Sequence, residues 1–128
     1  MKVLAIDDQK LVLIPLTLRL KELGYTVLTA KNALEGIELY NSFKPDLVIV
    51  DINMPKISGM EVIKYLRNVE KASTKIMALS GNTDPETIAR GFDLGLNDYM
   101  KKPLSLLEVC TKVKRLIDVL KSINLKLW

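Results

Sequence analysis

The stretch LVIVDINMP, residues 47–55, begins with an apolar run that leads into an aspartate, Asp51. An apolar run without alternation of polar residues is typical of a strand whose two faces are both covered by helices. Two similar runs occur in the chain: residues 2–6 lead into Asp7 and Asp8, and residues 75–79 lead into Ser80. Together the three runs predict the central strands of a parallel sheet.

Amphipathic stretches alternate with the apolar runs along the chain. We predict strands at residues 2–6, 25–30, 46–50, 75–79 and 97–101, and helices at residues 10–23, 33–42, 59–69, 85–94 and 105–123. This alternation indicates an α/β fold, a doubly wound sheet of five parallel strands with five helices and the flavodoxin-like strand order 2-1-3-4-5. Pro15 lies inside the first helical pattern, where we expect it to shift the start of the helix or to kink it.

The composition is that of one folded domain, which we expect to span residues 1–128. The chain is 48% hydrophobic, has no histidine and has one cysteine, Cys110. The lack of histidine excludes Ser-His-Asp and Cys-His catalysis and histidine metal sites. A single cysteine, no apolar run long enough to cross a membrane and no signal peptide predict a cytoplasmic protein. The net charge of +4 is scattered, so we expect a solvated basic surface and no direct binding of nucleic acid.

Polar and charged side chains stand at the ends of four predicted strands: Asp7, Asp8, Asp51, Ser80 and Lys102. The carboxyl ends of parallel strands line up at one edge of a sheet, so these side chains are expected to meet there. Carboxylates this close repel one another, and a divalent cation such as Mg²⁺ is the expected reason for keeping them together. Asn53 offers its backbone carbonyl as a further ligand.

The same cluster suits the uptake of a phosphoryl group. A carboxylate can act as a nucleophile and form an acyl phosphate, for which Asp51 is the candidate. A metal on one side and Lys102 on the other would neutralise the charge of the phosphoryl oxygens, and Ser80 would bind one of them. Gly81 is expected to leave room for the serine hydroxyl to move. The Lys102–Pro103 pair fixes a turn and is a candidate for a cis peptide bond.

The chain resembles the receiver domains of two-component response regulators. The matching elements, in the family's order and spacing, are Asp7-Asp8, Asp51-Ile-Asn-Met-Pro55 with Gly59, Ser80-Gly81, and Tyr99-Met-Lys-Lys102-Pro103. The resemblance implies that Asp51 accepts a phosphoryl group from a sensor histidine kinase or a histidine phosphotransfer protein. It also implies that Lys102 contacts the phosphoryl oxygens and that the Mg²⁺ ligands are Asp7, Asp8, Asp51 and Asn53.

The resemblance further implies a switch in which Ser80 is the switch hydroxyl and Tyr99 the switch aromatic. Phosphorylation adds charge and acceptor oxygens, so that Ser80 moves inward and Tyr99 turns from solvent to interior. The face made by the fourth helix, fifth strand and fifth helix then changes for an output partner, the domain being a monomer or a phosphorylation-dependent dimer. Asn53 and Asn82 are expected to tune hydrolysis, and Gln9, after the acidic pair, to take no direct part in the chemistry.

Several readings remain open at this point. The chain is a single-domain regulator of the chemotaxis or phosphorelay kind, or the N-terminal receiver module of a longer DNA-binding or enzymatic regulator. A phosphatase or phosphotransferase with an aspartyl intermediate is the alternative of another class, but it needs two aspartates separated by one residue, whereas Asp7 and Asp8 are adjacent. A flavodoxin-like cofactor binder would need a phosphate-cradling loop in place of Asp-Asp-Gln-Lys. We therefore expect no enzyme beyond a domain that catalyses its own phosphorylation and dephosphorylation.

Overall fold

The computed structural model describes residues 1–70, 72–81 and 84–126, with side chains described as far as residue 120. Asn82, for which the sequence predicts a role in hydrolysis, lies outside the described residues. Five parallel strands form one sheet: β1 (Lys2–Ile6), β2 (Thr26–Ala30), β3 (Leu47–Asp51), β4 (Lys75–Ser80) and β5 (Asp98–Lys101). Their order is β2-β1-β3-β4-β5, which confirms the predicted topology.

Five helices connect and cover the strands: α1 (Lys10–Glu22), α2 (Ala33–Phe43), α3 (Gly59–Lys64), α4 (Pro85–Asp93) and α5 (Leu106–Lys126). A π-helical turn over Tyr65–Val69 follows α3, so the predicted helix at 59–69 is present in two parts. Within the described ranges, no helix combines the length and apolar character needed to cross a bilayer.

Helix α1 begins at Lys10, at the predicted position, and runs through Pro15, so of the two predicted effects of the proline the shift of the helix start does not occur. Three buried leucines hold the helix against the sheet on both sides of the proline: Leu13, Leu16 and Leu20. Pro15 itself is exposed, and its ring therefore does not disturb the packed face. Burial of the apolar face outweighs the one hydrogen bond that a proline cannot make.

The core has two layers, one on each face of the sheet. On one face Val3 and Ile49 pack with Leu16 and Ile117 from α1 and α5; on the other face, residues of α2, α3 and the π-helical turn cover the sheet. All five residues of β3 are buried, as the sequence predicts for a strand covered on both sides. In this three-layer sandwich, the polar side chains of the candidate site lie at the ends of the strands.

The register of the sheet aligns those ends. Ile6 pairs with Val50, so the residues after β1 lie beside the end of β3. Asp51 pairs with Leu79, the residue before Ser80, and Ser80 in turn pairs with Lys101. The carboxyl ends of four strands therefore form one edge, which is where ligand sites form in open α/β sheets.

Candidate functional site

Three carboxylates meet at the ends of β1 and β3. Asp7, Asp8 and Asp51 each offer one oxygen, and these oxygens lie within 4.8 Å of one another. Asp7 and Asp51 are buried, with 0% and 2% of their surface exposed, whereas Asp8 is exposed. The predicted acidic cluster is therefore present, with two members withdrawn from water and one at the surface.

The two buried aspartates are fixed by the same local motif. Asp7 Oδ1 accepts the backbone N–H of Gln9 at 2.9 Å, and Asp51 Oδ1 accepts the backbone N–H of Asn53 at 3.0 Å. Aspartate commonly bonds the backbone two residues further on where a chain turns, here as it leaves the sheet. One oxygen of each carboxylate is thereby held in place, and the other, Oδ2, is left to face the centre of the cluster.

Lys102 supplies the positive charge between those two oxygens. Its Nζ donates a hydrogen bond to Asp51 Oδ2 at 3.1 Å and lies 2.9 Å from Asp7 Oδ2. The second distance is that of an ion pair, but the angles are not those of a hydrogen bond, so Asp7 Oδ2 is buried with a charged neighbour and without a donor. The backbone N–H of Lys102 bonds the carbonyl of Ser80 at 2.8 Å, and the Lys102–Pro103 peptide is cis, as the sequence predicts.

The electrostatics of the cluster are unevenly balanced. Burial raises the pKa of Asp7 above its ordinary value of 3.8, and the Lys102 ammonium and the Gln9 amide only partly oppose it. Burial alone would lower the pKa of Lys102, but the interactions with Asp7 and Asp51 outweigh it and raise that pKa above 10.5. Lys102 is thus charged at neutral pH, while the burial that raises the pKa of Asp7 favours the protonated, neutral form of its carboxyl group. A cluster of oxygen donors with a buried carboxylate oxygen that lacks a donor fits a hard divalent cation such as Mg²⁺.

Ser80 and Asn53 are joined by their side chains, which the sequence did not predict. The Ser80 Oγ is part of a buried residue and donates to Asn53 Oδ1 at 3.1 Å. For Asn53 the sequence predicts a backbone carbonyl ligand and an effect on hydrolysis but not this side-chain contact, because a side chain at this position can point in several directions. Among the described residues, a β-carbon placed on Gly81 would meet nothing within 4 Å.

Tyr99 lies in β5, two residues before Lys101, which pairs with Ser80. It is half-buried, and its ring meets the ring of Phe92 edge to face, with 6.3 Å between centroids and 85° between planes. Lys112 of α5 donates to the carbonyl of Tyr99 at 3.3 Å and to Asp98 Oδ1 at 3.0 Å. Tyr99 therefore sits between solvent and interior, on the face formed by α4, β5 and α5.

Gln9, for which the sequence predicts no direct part in the chemistry, contacts a residue of the candidate site. The Lys102 ammonium donates a hydrogen bond to Gln9 Oε1 at 2.9 Å. The two residues are 93 positions apart in the chain, so no local pattern links them. The only signal in the sequence is that Gln9 directly follows the acidic pair at the end of a predicted strand. Pro15, the proline inside α1, lines a groove together with Gln9, Lys102 and Pro103.

Curated relatives match most of this chain. The alkaline phosphatase synthesis transcriptional regulatory protein PhoP of Bacillus subtilis is 35% identical over 116 residues, which cover 91% of this chain and 48% of that protein. The cell cycle transcriptional regulator CtrA of Caulobacter vibrioides is 35% identical over 117 residues, which cover 91% of this chain and 50% of that protein. The chain thus spans about half the length of the curated relatives it matches.

Solved structures are similar over nearly their whole length. The chemotaxis protein CheY4 of Vibrio cholerae superposes with a TM-score of 0.84 at 29% identity, covering 90% of this chain and 97% of that chain. A two-component response regulator from Clostridium difficile superposes with a TM-score of 0.87 at 30% identity, covering 92% and 96%. The family model of the response regulator receiver domain matches residues 3–114. The chain therefore belongs to the family of response regulator receiver domains, which are phosphorylation-switched signalling domains and not conventional enzymes.

Proposed function

We propose that Asp51 is the phosphoryl acceptor of this receiver domain. The observation that carries the proposal is the buried Asp51 carboxylate, whose Oδ2 lies 3.1 Å from the Lys102 ammonium and one oxygen of which lies within 4.8 Å of oxygens of Asp7 and Asp8. Asp51 ends the central strand β3, and Asn53 holds its other oxygen, so the carboxylate is oriented before any donor arrives. A preoriented nucleophile needs less reorganisation on the way to the transition state.

In the proposed reaction, one Asp51 oxygen attacks the phosphorus of a phosphohistidine. The P–N bond breaks as the P–O bond forms, and the electron pair stays on the imidazole of the donor. Lys102 donates to a phosphoryl oxygen in place of its bond to Asp51 Oδ2, and Ser80 donates to another. Hydrolysis reverses the modification: water attacks the phosphorus, the P–O bond to Asp51 breaks, and inorganic phosphate leaves. We propose that the domain catalyses both reactions itself.

Receiver domains bind Mg²⁺ at an aspartate cluster, and we assign the ligands here to Asp7, Asp8, Asp51 and the Asn53 carbonyl. When bound, the cation supplies charge that neutralises the carboxylates and the phosphoryl oxygens. Asp7 and Asp51 each have one oxygen held by a backbone amide, and their Oδ2 atoms lie 2.9 Å and 3.1 Å from Lys102 Nζ. Asp8 adds its carboxylate at the exposed side of the cluster.

The proposed switch uses contacts already present. The Ser80 hydroxyl leaves Asn53 Oδ1 for a phosphoryl oxygen, and the Tyr99 ring leaves Phe92 and turns inward. The new phosphoryl group provides the differential hydrogen bonds that shift the population toward this state. The face of α4, β5 and α5 then has a different shape for an output partner, with the domain a monomer or a phosphorylation-dependent dimer.

Receiver domains of response regulators interact with histidine kinases or phosphotransfer proteins, and we propose one of these as the phosphoryl donor. The receiver unit is proposed to comprise residues 1–128, with Pro103 and Gly81 shaping the loops beside the site. The buried thiol of Cys110 and a kinase donor fit a cytoplasmic protein. Within the class, a single-domain regulator and the front module of a longer regulator share this proposed chemistry.

The test is intact-mass spectrometry after incubation with acetyl phosphate and Mg²⁺. We expect one added phosphoryl group that requires the metal and is absent from Asp51→Asn. Beryllium fluoride binding reports the site directly if hydrolysis outpaces detection. A wild type that neither gains the mass nor binds beryllium fluoride would contradict the proposal, as would full labelling of Asp51→Asn.

A further inference from the structure

The Lys102 ammonium has two hydrogen-bond acceptors, and one of them is a neutral side chain. Nζ donates to Asp51 Oδ2 at 3.1 Å and to Gln9 Oε1 at 2.9 Å, while Asp7 Oδ2 is near enough for charge pairing but not aligned for a hydrogen bond. The shorter of the two hydrogen bonds is therefore the one to Gln9. Hydrogen bonds from a charged donor are stronger than those between neutral groups and fix geometry accordingly.

Gln9 is itself held from two sides. Its backbone N–H donates to Asp7 Oδ1 at 2.9 Å, and its carbonyl accepts the N–H groups of Val12 and Leu13 at the start of α1. The side-chain oxygen thus extends from a backbone anchored to the acidic cluster and to a helix. This arrangement places a side-chain acceptor on an anchored backbone beside the ammonium of a long, flexible side chain.

The Gln9 side chain makes no contribution to the cap of α1. Gln9 occupies the N-cap position, where polar side chains commonly accept a backbone N–H of the first turn, yet it makes no such bond. Its oxygen is committed to Lys102 instead. Replacing the side chain therefore removes the contact with Lys102 and leaves the helix start unchanged, which separates a role in the site from a role in folding.

We propose that Gln9 is a positioning residue for phosphoryl transfer, an inference that rests on the proposed function of Asp51. Modification of Asp51 consumes the carboxylate that accepts one Lys102 hydrogen bond, and cation binding engages Asp7. The Gln9 oxygen is chemically unchanged by either event. It therefore keeps one N–H of Lys102 fixed while another N–H passes from Asp51 Oδ2 to a phosphoryl oxygen.

The consequence is a faster uptake of the phosphoryl group at a given occupancy of the site. Without the Gln9 oxygen, the Lys102 side chain loses conformational order. The incoming phosphoryl group must restore that order, and this cost lowers the rate of phosphoryl transfer. We expect Gln9→Met, which has a similar length and no strong acceptor, to lower the maximal rate of labelling about tenfold, as the loss of one hydrogen bond to a charged group implies. Gln9→Glu keeps an acceptor oxygen and should recover most of that rate at saturating Mg²⁺.

The experiment measures labelling by acetyl phosphate at saturating donor and Mg²⁺ in the wild type, Gln9→Met, Gln9→Glu and Asp51→Asn, together with the melting temperature of each. Slow labelling of Gln9→Met with an unchanged melting temperature and recovery in Gln9→Glu supports the proposal. Wild-type rates in Gln9→Met overturn it, and so does a Gln9→Glu variant as slow as Gln9→Met, because the acceptor oxygen is then not the cause.

A spectroscopic readout separates this proposal from the assignment of Asp51. In ¹⁵N-labelled protein, the NH₃⁺ signal of Lys102 should be visible in the wild type, where hydrogen bonds slow its exchange with water, and broadened in Gln9→Met. An unchanged signal in Gln9→Met contradicts the positioning role even if labelling is slow. If the wild type does not label at all, the proposed function fails first, whatever the NMR signal shows.

Discussion

Gly59 packs against the backbone of Asp51 so closely that a β-carbon on Gly59 would overlap the Asp51 carbonyl oxygen. The backbone N–H of Gly59 also donates to the carbonyl of Ile52 at 3.0 Å, so the start of α3 is fastened onto the end of β3. Only a residue without a side chain permits this approach. The loop that holds Asp51 and Asn53 in place therefore depends on a glycine eight residues beyond the proposed phosphoryl acceptor.

Gly59→Ala should consequently displace that loop. We expect a loss of about 1–3 kcal/mol in the free energy of unfolding, which is the usual cost of overpacking, and a reduced rate of labelling by acetyl phosphate. Gly81→Ala is the matched control for stability, because among the described residues a β-carbon there meets nothing within 4 Å and the backbone is not in the left-handed region. Urea denaturation checks both variants, and labelling rates compare Gly59→Ala with the wild type; an equal loss of stability in the two variants would contradict the steric argument.

The raised pKa of Asp7 makes a prediction about pH. Because burial raises this pKa above 3.8, the folded chain binds the proton of Asp7 more tightly than the unfolded chain does. The stability from this proton is fully present below pH 3.8 and is lost as pH rises through the higher pKa of the folded state. In metal-free buffer, the free energy of unfolding of Asp7→Asn minus that of the wild type should therefore increase as pH rises through this window.

The measurement is urea denaturation of both proteins in the presence of a chelator, from pH 3 to pH 8. Taking the difference between the two proteins isolates the contribution of the Asp7 carboxyl and its ion pair with Lys102 from that of groups elsewhere in the chain. A difference that falls or stays constant as pH rises would show that the pKa of Asp7 is not raised by burial.

Binding of Mg²⁺ should stabilise the fold through the acidic cluster. A ligand that binds only the folded state adds about 2.7 kcal/mol at a hundredfold excess over its dissociation constant, which corresponds to a rise of several degrees in melting temperature. The increase should be smaller in Asp8→Asn, which removes the exposed carboxylate without disturbing the buried pair. Differential scanning fluorimetry with and without millimolar Mg²⁺ tests this, with Glu38→Gln on the exposed face of α2 as a control for general charge effects. The same thermal shift in all three proteins would place any bound metal elsewhere.

Much of this fold could be predicted because its three central strands are largely apolar and polar residues stand at their ends. The alternation of β1 (Lys2–Ile6) and β3 (Leu47–Asp51) with amphipathic helices predicts the sheet, and the sheet brings Asp7, Asp51 and Lys102 together. The sequence did not predict contacts that depend on the conformations of long side chains. Gln9 reaches Lys102 in this way, and no local pattern encodes it.

Arg67 is a second example of the same limit. From the π-helical turn its guanidinium donates to the carbonyls of Ala72, Thr74 and Gly95 at 2.7–3.0 Å, joining the loops that precede β4 and β5. An arginine in a helical pattern ordinarily predicts a solvated side chain, because propensity and periodicity carry no information about loops that lie 28 residues away. The burial that lowers the pKa of Arg67 is a property of the assembled fold.

The edge-to-face contact between Tyr99 and Phe92 predicts how the output face responds. Phe92 is 43% exposed, so its ring holds Tyr99 from the solvent side rather than from the core. Aromatic pairs of this geometry contribute about 0.5–1.5 kcal/mol beyond their buried area. Phe92→Leu keeps an apolar side chain and removes that contribution, so the inward position of Tyr99 should be more populated before any phosphorylation. With ¹⁹F-labelled tyrosine assigned by Tyr99→Phe, the Tyr99 resonance of Phe92→Leu should move toward the position that beryllium fluoride produces in the wild type. A resonance that stays at the wild-type position in Phe92→Leu without beryllium fluoride would show that Phe92 does not oppose the inward turn of Tyr99.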